Sequence, residues 1–269
     1  MKFSILIAHY NNWDYFQECY QSILNQTYQD YEIIIVDDCS TDDSYEKLTE
    51  LARKEDKIKL FQNSENKKVG FTKRRCIEEA SGEICGFVDP DDMITSTALE
   101  EIINVYQKNS SIIATYSKIK LIDEKSHKKG VFKFSKKIKN NKKTFFNINF
   151  EVAHFFTFKK NYYDRTEGIN PTLIISEDQD LYLKLYDIGN FHFIDSFLYL
   201  YRIHDKGVSQ NKTKTAQQKA DWHQVLLDTC KRRRIDNLYG KKIETIDNLP
   251  KFLFEKENTF FKKLLRKLP

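Results

Sequence analysis

From Phe3 to about residue 120, short apolar runs alternate with longer segments of helical periodicity, and this alternation constrains the fold more than any other feature. Residues 3–8 read as a strand. Residues 13–25 read as a helix, because Phe16, Cys19, Tyr20, Ile23 and Leu24 recur at helical spacing. The order then repeats as strand 31–36, helix 43–54, strand 58–61, helix 72–80, strand 84–88 and helix 95–107. Such a chain is expected to be α/β: a Rossmann-like, mostly parallel central sheet flanked by helices. In doubly wound sheets ligands bind at the carboxyl ends of the strands, so chemistry is sought there.

Nine lysines and no acid lie between Lys125 and Lys143, interrupted by Gly130 and Asn140-Asn141, which predicts an exposed or mobile connection. Beyond it the apolar pattern resumes at 145–158, a helix is expected at 177–186 and strands at 191–201. After Ser209 the pattern is helical and basic, a C-terminal helical extension. The divisions expected are therefore 1–124, 125–209 and 210–269.

The 269 residues suffice for a sizeable core without disulfides. Five scattered cysteines form no C-x-x-C pair, arguing against a disulfide framework and a structural zinc site. No apolar run approaches the ~20 residues of a membrane span. The N-terminus enters a strand pattern at once, without a signal peptide's features, so a cytoplasmic location is expected. The net charge of +5 suits an acidic substrate or anionic surface, while a dedicated nucleic-acid binder is usually more basic, so no nucleic-acid partner is expected.

The acids are informative through their placement. Asp37-Asp38 follows Ile33-Ile34-Ile35-Val36, a run apolar on both faces as a central parallel strand requires. A carboxylate there either accepts hydrogen bonds from a ribose or base, or caps the following helix. The loop 8–12 holds no glycine, so the dinucleotide cradle is absent, as are the P-loop pattern and a G-x-S-x-G elbow. Asp89-Pro90-Asp91-Asp92 follows another buried strand; alternate carboxylates at a strand end suit a hard divalent cation that also takes phosphate oxygens and water. Ser176-Glu177-Asp178 opens an apolar-periodic segment, giving helix-start residues or an acid that accepts a proton from an attacking hydroxyl.

Six stretches in order, Ser4 to Asn11, Ser22 to Thr27, Ile35 to Asp42, Ala80 to Glu83, Val88 to Asp92 and Glu177-Asp178, resemble glycosyltransferase family 2, the inverting transferases of the GT-A fold. The resemblance implies a nucleoside pocket lined by Ala8, Tyr10 and Asp38, with Asp89 approaching the ribose. It also implies Mn²⁺ or Mg²⁺ held by Asp91, and Asp178 as the catalytic base. The later Tyr201-Arg202-Ile203-His204 matches the family's Y-R-x-H segment and assigns His204 to the metal or diphosphate. Where the family has A-R-N, this chain reads Thr72-Lys73-Arg74, so Lys73 carries the positive charge near the nucleotide.

The implied partners are a nucleoside-diphosphate sugar, UDP-linked, and a glycan or lipid-linked acceptor in cell-surface polysaccharide synthesis. Residues 1–124 would hold the donor and 125–209 the acceptor. In the tail, Phe261, Leu264, Leu265 and Leu268 recur at helical spacing between basic residues, which suits either an anionic membrane surface, such as the inner face of the cell membrane, or packing on the protein itself. Two other classes share parts of this pattern. A nucleotidyltransferase would show a glycine-rich, Arg-containing loop after the first strand, and a non-catalytic nucleotide- or acidic-polysaccharide-binding protein would need no acid at Asp178.

Overall fold

The computed structural model describes residues 1–205 and 215–259. The N-terminal half alternates as the pattern requires: β1 Phe3–His9, α1 Trp13–Leu24, β2 Tyr31–Asp37, α2 Ser44–Ala52, β3 Ile58–Gln62, α3 Lys68–Glu78, β4 Ile84–Phe87, β5 Met93–Ile94 and α4 Ala98–Lys108. There follow β6 Ile112–Ile122, β7 Lys128–Val131, β8 Thr157–Lys159, the short α5 Lys160–Tyr163, α6 Glu177–Tyr186 and β9 Asn190–Arg202. The C-terminal part contains α7 Thr215–Arg232, a hairpin of β10 Asn237–Leu238 with β11 Lys241–Lys242, and α8 Leu249–Glu257.

The main sheet has the order β3-β2-β1-β4-β8-β6-β9-β5, with β7 added to β6. Strands β3, β2, β1 and β4 are mutually parallel, as are β6 and β9. Strands β5, β7 and β8 pair antiparallel, so the sheet is parallel in its first half and mixed in its second.

The period-two geometry of the strands explains the layering. Phe3, Ile5, Ile7, Ile33 and Ile35 point to one face, where Phe16, Cys19 and Ile23 of α1 and Leu99, Ile102 and Tyr106 of α4 cover them. Leu6, Ile34 and Val36 point to the other, against Cys76 and Ile77 of α3 and Leu181, Tyr182 and Leu185 of α6. A third cluster joins Leu183 of α6 to Trp222, Val225 and Leu226 of α7 and Leu249 and Leu253 of α8, so the extension packs on the body.

Two helices start three or more residues from the expected position, each for a tertiary reason. Helix α3 starts at Lys68 rather than 72, because the Asp38 carboxylate accepts from the backbone N–H groups of Lys67 and Lys68 at 2.8 and 2.9 Å. That caps the helix from a remote strand end. Helix α4 starts at Ala98 rather than 95, because Met93 and Ile94 pair with Leu200 and Tyr199 of β9.

The lysine-rich connection is exposed along most of its length but its backbone is held. The Tyr116 hydroxyl donates to Lys136 O and accepts from Ile138 N, and the Tyr186 hydroxyl donates to Lys139 O and accepts from Lys142 N. No described helix is long and apolar enough to cross a membrane. The expected amphipathic segment 261–268 lies outside the described residues.

Candidate active site

Strand β1 lies between β2 and β4, so the chain emerging from their parallel carboxyl ends converges at one edge. Ala8 ends the apolar part of β1 beside Val36, and Tyr10, just beyond the strand, is 43% exposed. Asn11 ties this loop to the one after β2, its side-chain amide donating to Thr41 Oγ1 at 2.9 Å and accepting from Thr41 N at 2.8 Å.

The paired acids after β2 divide their work. Asp37 is buried; burial alone would raise it, but hydrogen bonds from His9, Ser40 and Gln62 outweigh that and hold it below the usual carboxylate range. Asp38 accepts from Asn63 Nδ2 at 2.7 Å as well as from the start of α3. Its carboxylate therefore joins the end of β2 to α3 at the edge where Ala8 and Tyr10 lie.

Lys73, on α3, is the centre of the site. It is only 3% exposed, and its Nζ lies 2.9 Å from Glu177 Oε1, 2.9 Å from Asp178 Oδ1 and 3.4 Å from Asp89 Oδ1. Burial would lower its pKa, but the three carboxylates drive it well above the ordinary lysine value. Conversely, burial raises Asp89 while Lys73 and His154 pull it down, with a net lowering. Glu177 goes the other way: burial and the neighbouring Asp178 outweigh Lys73 and push it up to about 7.

Glu177 and Asp178 open α6, where negative charge is stabilised by the helix dipole. The residue before them, Ser176, sits in the left-handed region at φ 72°, so the chain turns sharply into the helix and aims both carboxylates at Lys73. Asp178 is 24% exposed, so part of its carboxylate faces solvent.

His154 closes the other side, its Nε2 3.8 Å from Asp89 Oδ2 and 3.7 Å from Asp178 Oδ2. The imidazole stacks on Tyr199 at 4.9 Å between centroids, and the Tyr199 hydroxyl accepts from Asp89 N. Neither residue lies in a recognisable motif. Tyr199 is two residues before the Y-R-x-H segment, and His154 sits in a stretch with no local signal.

The expected metal pair does meet. Asp91 Oδ2 is 2.8 Å from His204 Nε2, and the histidine is 6% exposed against the Tyr15 ring. Its Nδ1 is buried without a hydrogen-bond partner among the described residues. Arg202, two residues earlier and fully buried, fixes the loop: its backbone N–H donates to Asp92 Oδ1, and its guanidinium donates to Asp91 O and to Ser126 Oγ. Burial and the charges of Asp91 and Asp89 push Asp92 well above the carboxylate range.

The Asp91 carboxylate is the hard oxygen donor that Mn²⁺ or Mg²⁺ takes, and His204, whose Nε2 is hydrogen bonded to it, would join as a ligand only by giving up that bond. No group of three or more side-chain ligands occurs among the described residues. Two protein ligands leave positions for waters and phosphate oxygens, as magnesium sites on nucleotides commonly do.

Comparison with known proteins identifies the family and the fold. The sequence pattern of glycosyl transferase family 2 matches residues 4–166. Chondroitin synthase of Escherichia coli is 28% identical over 255 residues, 94% of this chain and 36% of its own. Poly(ribitol-phosphate) beta-glucosyltransferase of Bacillus spizizenii is 40% identical over 136 residues, 49% of this chain and 21% of its own. The chain thus spans about a third or less of the length of these relatives.

Among solved structures, S. aureus TarS 1-349 in complex with UDP-GlcNAc aligns with a TM-score of 0.74 at 22% identity, over 100% of this chain and 76% of that one. The mannosyltransferase PcManGT from Pyrobaculum calidifontis, in complex with GDP-Man and Mn²⁺, gives 0.64 at 14% identity, covering 85% and 64%. At these identities the likeness concerns the fold.

Proposed function

The chain belongs to glycosyl transferase family 2 and has the GT-A fold, and from that premise we propose that it transfers a sugar from a UDP-sugar to a hydroxyl of a glycan or lipid-linked acceptor, inverting the anomeric centre. The observation that carries this reading is the buried Lys73 ammonium, paired at once with Asp178 at 2.9 Å and with Asp89 at 3.4 Å. It gathers the acid expected to deprotonate the acceptor and the acid expected beside the ribose into one cleft. The UDP-GlcNAc held by TarS and the polysaccharide synthases among the relatives support the choice of donor and of acceptor class.

Ala8, Tyr10 and Asp38, at and just beyond the ends of β1 and β2, would line the nucleoside pocket, and Asp89, two residues after β4, would approach the ribose. Asp178 takes the proton from the acceptor hydroxyl, whose oxygen bonds to the anomeric carbon while the bond to the donor's β-phosphate breaks and its electron pair leaves with the diphosphate. Attack and departure on opposite faces invert the configuration. Lys73 holds Asp178 in place and limits repulsion among the three acids. Asp91 and His204 would hold Mn²⁺ or Mg²⁺, which when bound offsets the charge of the departing diphosphate.

In this reading residues 1–124 form the donor half, 125–209 the acceptor half and 210–269 a basic extension, and the protein works in the cytoplasm or at the inner face of the membrane. A panel of sugar nucleotides, with and without Mn²⁺ and an oligosaccharide acceptor, tests it. UDP release that rises with acceptor is expected, and no release from any donor would overturn the proposal.

A further inference from the structure

A second concave site opens at the far end of α6. It is a cavity of about 770 Å³, between the end of the lysine-rich connection, the turn after α5 and the last turn of α7. Such a volume lies within the roughly 300–1,000 Å³ of ligand sites. Asp187 on its rim caps the end of α6 nine positions after Asp178, about 13 Å at the helical rise, so this cavity is distinct from the catalytic cleft.

Its charge is unusual for the molecule. Lys142, Lys143, Arg165, Lys184, Arg232 and Arg233 bring six positive charges to the lining. Glu167 and Asp187 bring two negative ones. Lys184 is paired with the buried Asp180 at 2.8 Å, so the excess the cavity presents is three positive charges.

The two arginines are only partly used by the protein. Asp187 accepts from Arg232 Nε at 3.1 Å and from Arg233 Nε at 2.6 Å, so one carboxylate faces two guanidinium groups. Arg233 also donates to the carbonyls of Lys143 and Phe145, and its side chain is only 6% exposed. Yet Arg232 Nη1 and Arg233 Nη2 are buried with no hydrogen-bond partner among the described residues. A buried donor left unbonded is costly, and guanidinium nitrogens match carboxylate and phosphate oxygens in geometry.

We propose that this cavity binds an anionic glycan chain, taking the chain's carboxylate or phosphate oxygens on Arg232 and Arg233. The recessed shape and the exposed Glu167 favour a glycan over a lipid surface. A flat bilayer does not enter a cavity, and Glu167, exposed on the lining, offers acceptors to sugar hydroxyls. Lys142, Lys143 and Arg165, exposed at the mouth, draw the chain in by charge. The site is a binding site in its own right, and its test is independent of sugar transfer.

The test uses the full chain and fluorescence anisotropy with a labelled uronic-acid oligosaccharide and a labelled sugar-phosphate oligomer, which separate the two oxyanion sources. Neutral dextran oligomers, inorganic phosphate and phosphatidylglycerol vesicles serve as comparisons. At least one anionic oligomer is expected to bind, more weakly as salt rises, and neutral dextran is not.

The triple variant Lys142→Glu, Lys143→Glu, Arg165→Glu changes exposed residues only and should weaken binding by about tenfold or more, without altering the circular dichroism spectrum or UDP-sugar hydrolysis. Arg232→Gln should weaken it independently. Failure of both anionic oligomers to bind, equal affinity in both variants, equal affinity for inorganic phosphate alone, or binding confined to vesicles would each overturn the proposal.

Discussion

Lys73 Nζ stands 2.9 Å from Asp178 Oδ1, a bond between residues 105 positions apart that fastens the middle of α3 to the first turn of α6. Replacing Lys73 by Met would leave Asp89, Glu177 and Asp178 facing one another without a cation. Breaking a buried ion pair on one side costs about 3–5 kcal/mol. Urea unfolding at pH 7 should show a loss of that order, smaller at pH 5 as the acids take up protons. Lys73→Arg, which keeps the charge, should recover most of the loss.

Glu177 makes its own pH dependence. Its carboxyl is pushed up to about 7 from an ordinary value of 4.5, so the folded chain holds a proton that the unfolded chain has released. Stability from this group is full below about pH 4.5 and declines as pH rises towards 7, by at most about 3 kcal/mol. Urea midpoints between pH 5 and pH 8 should fall in the native chain and fall less in Glu177→Gln, which carries a permanently neutral side chain.

Asp178→Asn keeps the shape of the side chain and removes its basicity. General-base catalysis is worth about 10²–10⁴ in rate, so turnover of donor and acceptor should fall by that factor while the dissociation constant for UDP changes little. Near-normal turnover would take the role of base away from Asp178.

Much of this site was legible in the chain because its acids follow strands whose apolar runs mark them as buried. Asp37, Asp38 and Asp89 needed only that rule, and α6 begins and ends where the pattern of Glu177 to Tyr186 says. The start of α3 was not legible, since its cap is Asp38, about thirty positions away. His154 was invisible for a similar reason: it acquires meaning only when Tyr199 of β9 stacks beneath it and Asp89 and Asp178 come alongside. Lys73 could be placed near the nucleotide by its position in a motif, but its bond to Asp178 depends on how α3 packs against the segment leading into α6.

That packing turns on Gly70. A Cβ at this position would lie 2.5 Å from Leu173 O and 2.9 Å from Asn170 O, both backbone atoms that have little room to yield. The Gly70 amide also donates to Leu173 O at 3.2 Å. Gly70→Ala should therefore push α3 away from the turn before α6 and lengthen the reach from Lys73 to Asp178. Overpacking of this kind costs about 1–3 kcal/mol. Lower turnover together with a lower thermal midpoint is expected, whereas an Ala variant of native stability and full activity would show that the two elements separate without disturbing the acids.

The pairing of Asp91 with His204 makes a prediction that separates metal from base. Asp91→Ala removes the oxygen ligand and leaves Lys73, Glu177 and Asp178 untouched, so calorimetry should show UDP affinity that no longer increases when Mn²⁺ is added. His204→Ala should weaken the same increment less, because it leaves the charged carboxylate that a hard cation favours. In Asp178→Asn the Mn²⁺ increment should persist although turnover is lost. If Asp91→Ala instead binds UDP with the native Mn²⁺ dependence, the cation is held elsewhere and the contact between Asp91 and His204 serves only to fix the loop between β4 and β5.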